Sequence, residues 1–260
     1  MDSAIPGIIG VIHLLPLPGS PMYRATMDEV IQRASADCET CEECGVDGAI
    51  VENFGDAPFS ADRVEPVTVA AMTAVAYELK RNFPNLRFGI NVLRNDAVSA
   101  LSIASAVSAE FIRVNVHVGA VLADQGIIQG KAYETLRLRK NLDASVKIFA
   151  DVDVKHSAGI GDYGILAQAA DALERGLADA IILSGQRTGS PVELSQLKDI
   201  RKKFSHARII IGSGANYRNV RHLMRFADSV IVGTSVKKDR VTANPFDPRM
   251  LREFVRAAKS

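Results

Sequence analysis

The chain has no excess of charge of either sign: Lys and Arg number 31 and Asp and Glu number 30, a formal net charge of +1. No bulk field therefore draws it to nucleic acid or to an anionic membrane, and each basic cluster has to be judged locally. Long apolar runs are also missing, since none approaches the roughly 18 residues of a membrane span. Cysteine is scarce and odd in number, with three residues in 260, which gives no disulfide framework and suits a reducing compartment. The first seven residues, Met1 to Gly7, lead straight into a strand-like run, leaving no room for a basic region, an apolar segment and a cleavage site. The expected location is the cytoplasm. No linker or low-complexity tract divides the chain, and the first strand is not followed by Gly-x-Gly-x-x-Gly, which weakens a dinucleotide-binding Rossmann reading.

What is present is a repeated β/α unit in a chain that is 47% hydrophobic, enough for a sizeable core. Eight apolar, strand-like segments alternate with helical stretches: 7–14, 46–53, 87–95, 111–117, 147–155, 179–185, 208–215 and 229–236. That count favours an α/β fold of the (β/α)8 TIM-barrel type, one domain over residues 1–260, rather than a doubly wound open sheet. Thr26 to Glu29 reads as a capping box, and Gly45 is placed as the C-terminal stop of the helix that begins there.

The last two segments carry the strongest functional signal. The run Ile209 to Ile211 stops at Gly212-Ser213-Gly214, and the run Ser229 to Val232 stops at Gly233-Thr234-Ser235. Glycine in a turn is ordinary turn chemistry when met once. Two copies on consecutive final strands match the paired phosphate cradle that (β/α)8 barrels build after strands seven and eight, as in ribulose-phosphate-binding barrels. The expected ligand is a phosphorylated small molecule of sugar or nucleoside type. Lys237 or Lys238 can add charge to that site, with at most one acting as a ligand.

Sidedness extends the reading, because residues two apart on a strand share a face. Arg113, Asn115 and His117 share one face of the fourth segment, and Asp151, Asp153 and Lys155 share one face of the fifth. Such groups belong at the barrel axis, since an unpaired charge under the covering helices is very costly. Arg113 and Asp151, the deeper pair, read equally well as a structural ion pair. His117, Asp153 and Lys155 fall nearer the C-terminal strand ends, where barrel enzymes place their chemistry.

His13 ends the first strand, just before a stiff loop with Pro16, Pro18 and Pro21. Its alternatives are a site residue at the mouth or a hydrogen-bonded packing group. Lys155 and His156 precede a flexible loop; Lys155 is either a Schiff-base nucleophile or, more simply, an anion clamp. Asp153 is either a general base or the partner that keeps Lys155 charged, and these roles compete. Glu52, Asn53 and Asp56 after the second strand, and Asn91, Arg94 and Asn95 after the third, add carboxylate, amide and guanidinium groups suited to sugar hydroxyls. Ser184 and Thr188 extend the set after the sixth strand. Asp, Glu and His together can hold a divalent cation, but no spacing supports one and no cofactor is evident.

Cys38, Cys41 and Cys44 resemble a cluster motif at first sight. They lie on the capped first helix, where Cys38 and Cys41 continue the apolar face of Val30, Ile31 and Ala34, and no fourth cysteine exists, so core packing is expected. The basic runs 201–203 and 249–259 sit on helices that also carry apolar residues. Nothing like aromatic-interleaved nucleic-acid recognition accompanies them, and solvated faces are expected.

Several long segments resemble the BtpA-like barrel proteins: Gly10 to Pro21, Val51 to Phe59, Asn91 to Asp96, Arg113 to His117, Asp124 to Gly130, Lys155-His156, Ser184 to Pro191, Gly212 to Gly214, and Gly233 to Asp239. The resemblance spans nearly the whole chain. Val118 stands where the family pattern has threonine, and Arg240 where it has glycine. What the resemblance implies is a barrel and, in cyanobacteria, a part in the biogenesis or stability of photosystem I with peripheral membrane association. Relatives in organisms that do not photosynthesise argue against that role as the general activity. Two functional expectations follow. One is an isomerase, lyase or glycosidic-bond-cleaving enzyme acting on the phosphorylated ligand; the other is a non-enzymatic assembly factor for a membrane complex. A homo-oligomer is the expected assembly.

Overall fold

In a computed structural model of the protein, residues 5–152, 158–159, 164–185 and 192–260 are described. The barrel strands are β1 (Ile8–His13), β2 (Gly48–Glu52), β3 (Arg87–Asn91), β4 (Phe111–Val114), β5 (Lys147–Val152), β6 (Ala180–Leu183), β7 (Ile209–Ile211) and β8 (Ser229–Val232). Each falls within one of the eight expected segments. They pair in parallel in chain order, and β8 returns to β1 with Gly10 opposite Val232, which closes the barrel.

The β-branched composition of these strands follows from burial on both faces. One set of alternating residues, including Ile9, Val11, Ile50, Phe111, Phe149, Ile182, Ile210 and Ile231, fills the barrel interior. The other set, such as Ile8, Ile12, Val51, Ile112, Ile148 and Ile181, packs outward against the helices. Phe111 and Phe149 stack at 4.5 Å between ring centroids and plug the lower interior. Gly89 on the neighbouring strand makes room for them, because a Cβ there would sit 2.1 Å from Phe111 Cε2.

The helices are α1 (Met27–Cys44), α2 (Pro66–Asn82), α3 (Ala97–Val107), α4 (Ala132–Asn141), α5 (Ile165–Ala170), α6 (Leu194–Lys203), α7 (Val220–Leu223) and α8 (Pro248–Lys259). Thr26 Oγ1 accepts from Glu29 N while the Glu29 carboxylate accepts from Thr26 N, a reciprocal cap. At the other end Gly45 is left-handed at φ 78°, and its N–H returns to the last-turn carbonyls of Cys41 and Glu42. Cys38, Cys41 and Cys44 are buried free thiols on the inward face of α1. Burial raises the pKa of all three, so they act as small apolar groups.

One feature lies outside the alternation of strand and helix. Between β4 and α4 the chain folds into an antiparallel hairpin, Ala120–Ala123 against Gly126–Gln129, and the backbone of Ala158–Gly159 adds a third strand. The tip of this hairpin returns over the barrel mouth. Among the described residues no helix is long and apolar enough to cross a membrane. The apolar stripe of α8, Leu251, Phe254 and Val255, is buried against the rest of the protein.

Candidate functional site

At the C-terminal strand ends a cavity of about 680 Å³ opens to solvent. Inward-facing residues of successive strands form its floor: His13 from β1, Glu52 from β2, Arg113 and Asn115 at and just beyond β4, and Asp151 from β5. The Gly212–Gly214 and Gly233–Ser235 turns form the wall above β7 and β8.

The floor is a continuous polar network. Arg113 grips Asp151 with two bonds, Nε to Oδ1 at 3.1 Å and the terminal Nη2 to Oδ2 at 3.0 Å. Burial opposes the Arg113 charge, but Asp151 and Glu52 more than offset that effect, and its pKa lies above the ordinary value. Asn115 Nδ2 donates to the same Asp151 oxygen at 2.9 Å. Asn91, one strand over, donates to Asn115 Oδ1 and to the Arg113 carbonyl, which fixes the Asn115 amide with its nitrogen toward Asp151.

His13 Nε2 lies 3.7 Å from Glu52 Oε1, too long for a hydrogen bond but close enough for a proton to pass with a small movement or a bridging group. The ring stands edge-on to Phe54 at 4.9 Å. Burial holds its pKa well below the usual imidazole value, and Lys237, Arg113 and Arg33 push the same way. The native state therefore contains a neutral His13, whereas the unfolded chain takes up a proton below about pH 6.5. His117 is shifted downward too, again chiefly by burial. Because the unfolded state binds more protons in that range, stability is expected to fall as the pH drops below about 6.5. His13→Gln should flatten the profile, measured as urea midpoint against pH; an unchanged slope would contradict a neutral buried His13.

The two turns are joined. Ser235 Oγ donates to the Ala215 carbonyl at 2.7 Å, linking the β8 turn to the β7 turn, and Thr234 and Thr242 hydroxyls pair at 2.8 Å. Gly214 is left-handed at φ 71°. At Gly212 a Cβ would meet Ile182 Cγ2 at 2.4 Å and Ser184 Oγ at 2.6 Å, so only glycine lets this backbone approach β6. Gly233 lies against His13: a Cβ there would be 3.2 Å from His13 Cε1.

Of the expected site residues, His13, Glu52, Arg94, Asn115, Gly212, Ser213, Gly214, Gly233 and Thr234 line this cavity. Several others do not. His117 was expected on the same face as Arg113 and Asn115, but β4 ends at Val114, the alternation lapses, and His117 Nε2 bonds the Gly176 carbonyl at 2.8 Å. A carbonyl can only accept, so the proton is on Nε2. Lys237 is also corrected: it is 0% exposed, with Nζ 3.0 Å from Asp37 and 3.7 Å from the Phe246 ring centroid, on the helix side of the barrel. Asn53 takes the Leu93 N–H at 2.7 Å and donates to Asp56, while Asp56 takes the Leu17 N–H at 2.8 Å. Both hold loops at the mouth and line a smaller cavity of about 150 Å³ beside it. Asn95 is saturated by the backbone of Val116, and Asn91 acts through Asn115. Ser184 is buried beneath Gly212. Asp153, Lys155, His156 and Thr188 lie outside the described residues.

Asp124 and Gln125 line the cavity from the tip of the hairpin, and Thr242 from the loop after β8. Sequence reasoning does not reach them; the turn at Asp124-Gln125-Gly126 was the available signal. Among the described residues, no group of three or more His, Cys, Asp and Glu is placed to hold a metal ion.

A closed eight-stranded parallel barrel with polar groups gathered at its C-terminal strand ends defines a (β/α)8 barrel protein. The phosphoribosylanthranilate isomerase structure from Pyrococcus furiosus superposes with a TM-score of 0.60 at 15% identity, covering 97% of this chain and 98% of that one, a likeness of fold. Residues 5–260 match the BtpA family, and the chain belongs to that family. It is 46% identical over 250 residues to the photosystem I biogenesis protein BtpA of Synechocystis, covering 96% of this chain and 87% of the relative. It is 45% identical over 251 residues to an uncharacterized protein of the archaeon Methanocaldococcus jannaschii, covering 96% and 94%.

Proposed function

We propose that this BtpA-family barrel binds a phosphorylated small molecule of sugar or nucleoside type in its mouth and acts on it by proton transfer. The observation that carries the reading is a single cavity that joins the two glycine turns to a neutral His13 beside Glu52. The phosphate sits against the turns after β7 and β8, where backbone approaches most closely. The remainder of the ligand extends over the floor, where Asn115, Asp151 and Glu52 offer donors and acceptors matched to hydroxyl groups. An imidazole kept neutral next to a carboxylate suits general acid–base catalysis, because one group can take a proton while the other returns it. Isomerisation, elimination and glycosidic-bond cleavage all use such a pair. The name of the Pyrococcus furiosus isomerase refers to a phosphoribosyl compound, which adds support by analogy of fold.

The test is a thermal-shift series with orthophosphate, ribose 5-phosphate and AMP, because a ligand of the native state raises the melting temperature by mass action. A selective rise is expected, and Ser213→Asp, which puts a carboxylate beside the bound anion, should abolish it in a protein that still melts cooperatively. No shift with any phosphate compound would overturn the reading.

A further inference from the structure

We propose that the phosphorylated ligand carries a planar nitrogenous ring, as a nucleoside monophosphate does, lying against Phe54, Phe59 and Leu93 and donating from its edge to Asp124 and Gln125. This rests on the phosphate reading above and names the substrate class of that same site.

The topology of the barrel sets the two ends of the ligand apart. The closed order of the eight strands puts β3 four strands from β7 and β4 four strands from β8, so the loops beyond β3 and β4 stand across the mouth from the two glycine turns. Leu93 and Arg94 follow β3, and the hairpin tip with Asp124 and Gln125 follows β4; all four line the main cavity. Phe54 and Phe59, in the loop after β2, complete that wall. His13 touches both ends: a Cβ on Gly233 would be 3.2 Å from its Cε1, and the Phe54 ring lies 4.9 Å from its own. A ligand with its phosphate on the β8 turn therefore crosses His13 before it meets the phenyl rings.

The far wall is suited to a flat face. Phe54 is 36% exposed and Phe59 is half-buried, so two aromatic side chains stay open to the cavity instead of packing into the core. Sugar hydroxyls set against them would lose water and gain no partner, which is costly for each group. The face of a heterocycle carries no such groups. It stacks on phenyl rings, and on the guanidinium plane of a residue such as Arg94, while its polar edge stays free.

The hairpin tip supplies what that edge needs. Gln125 Nε2 donates to Asp124 Oδ2 at 2.7 Å, and because a carboxylate only accepts, this bond fixes the amide nitrogen on Asp124. Gln125 Oε1 is buried and, among the described residues, has no hydrogen-bond partner. An orphaned buried acceptor on a cavity-lining residue costs stability unless a ligand brings it a donor. Asp124 and Gln125 thus offer acceptors only, and ring N–H and exocyclic amino groups are the donors that match. The cavity, about 680 Å³, falls within the range of about 300–1,000 Å³ typical of sites for drug-sized ligands.

The experiment is calorimetric titration of the full chain with ribose 5-phosphate, AMP, GMP and UMP, in the presence of a chelator. At least one nucleotide is expected to bind about tenfold or more tighter than ribose 5-phosphate, the effect of one stacked base. Phe59→Ala and Asp124→Asn should each lower that ratio about fivefold or more, the first by removing a stacking face and the second by turning an amide donor toward the ring's donors. Both residues lie outside the strands and helices, so the variants should still melt cooperatively. Lys202→Gln, a distant surface charge on α6, should leave the ratio unchanged. Nucleotides that bind no tighter than ribose 5-phosphate, a ratio that survives in both variants, or one equally lost in Lys202→Gln would overturn the ring and leave the phosphate reading standing. Failure of all four probes to bind would overturn the phosphate reading and the ring together.

Discussion

Arg113→Met is expected to lower the unfolding free energy by about 3–5 kcal/mol, because it leaves the Asp151 carboxylate buried without its cation. The Arg113 and Asp151 side chains are only 9% and 5% exposed and are joined by two hydrogen bonds, so solvent does little to replace the lost partner. The double variant Arg113→Met/Asp151→Leu should recover much of that loss. An apolar pair can pack beside Phe149 and Ile182, and the desolvation cost of both ions disappears. Urea unfolding of the two single variants and the double variant gives the coupling directly. A single-variant loss below about 1 kcal/mol would mean that the cavity floor is wet enough to solvate Asp151, the behaviour of a surface pair. The same cycle separates structure from function. If the double variant is stable but no longer binds a phosphorylated ligand, the pair recognises the ligand; if it still binds, the pair supports the floor.

Asp37→Asn is the second substitution with a large expected effect, about 3 kcal/mol at neutral pH, since it removes the charge beside Lys237 while keeping the side chain's shape. Lys237 is 0% exposed, and Asp37 Oδ1 also accepts the Phe246 N–H at 2.9 Å. The variant oxygen can retain that bond, so the loss reports on the charge of Asp37, which faces Lys237 Nζ at 3.0 Å and Arg33 Nη2 at 3.7 Å. Burial lowers the Lys237 pKa, and Asp37 acts against that effect. Without Asp37 the folded-state pKa falls further, so the unfolded chain binds the extra proton until the pH approaches the ordinary lysine value of 10.5. Stability of the variant should therefore rise with pH once its further lowered folded-state pKa is passed, and its deficit relative to the parent should shrink over the range between the variant's folded-state pKa and the parent's. A deficit independent of pH would show that the substitution acts through packing. The consequence reaches the proposed site, because the loop that Lys237, Asp37 and Phe246 anchor to α1 begins with the Gly233–Ser235 turn.

The legible part of the site is the part that obeys local rules. His13 and Glu52 are the last residues of β1 and β2, and strand alternation places them inward with Ile9, Val11 and Ile50. Arg113 and Asp151 follow the same rule on β4 and β5. The rule fails for His117 because it assumes a strand that continues, while β4 ends three residues earlier and Asn95 takes the Val116 backbone into a different path. Lys237 misled for a related reason. Two residues beyond the Gly233–Ser235 turn, a lysine reads as an added cation for an anion site, and only the position of Asp37 on α1, 200 residues away, turns it outward. The cysteine triplet was readable because helical periodicity and a missing fourth ligand both argued for packing.

By itself the sequence determined the eight strands, the ends of α1, the burial of its cysteines and the positions of the two glycine turns. Each depends on periodicity, capping chemistry or backbone permissiveness within a few residues. Only the tertiary structure decided which polar residues share a cavity. It brought the tip of the hairpin over the mouth and sent Lys237 to Asp37. Those placements are fixed by pairings between distant segments, whose free energy comes from burial and charge compensation that no local pattern records.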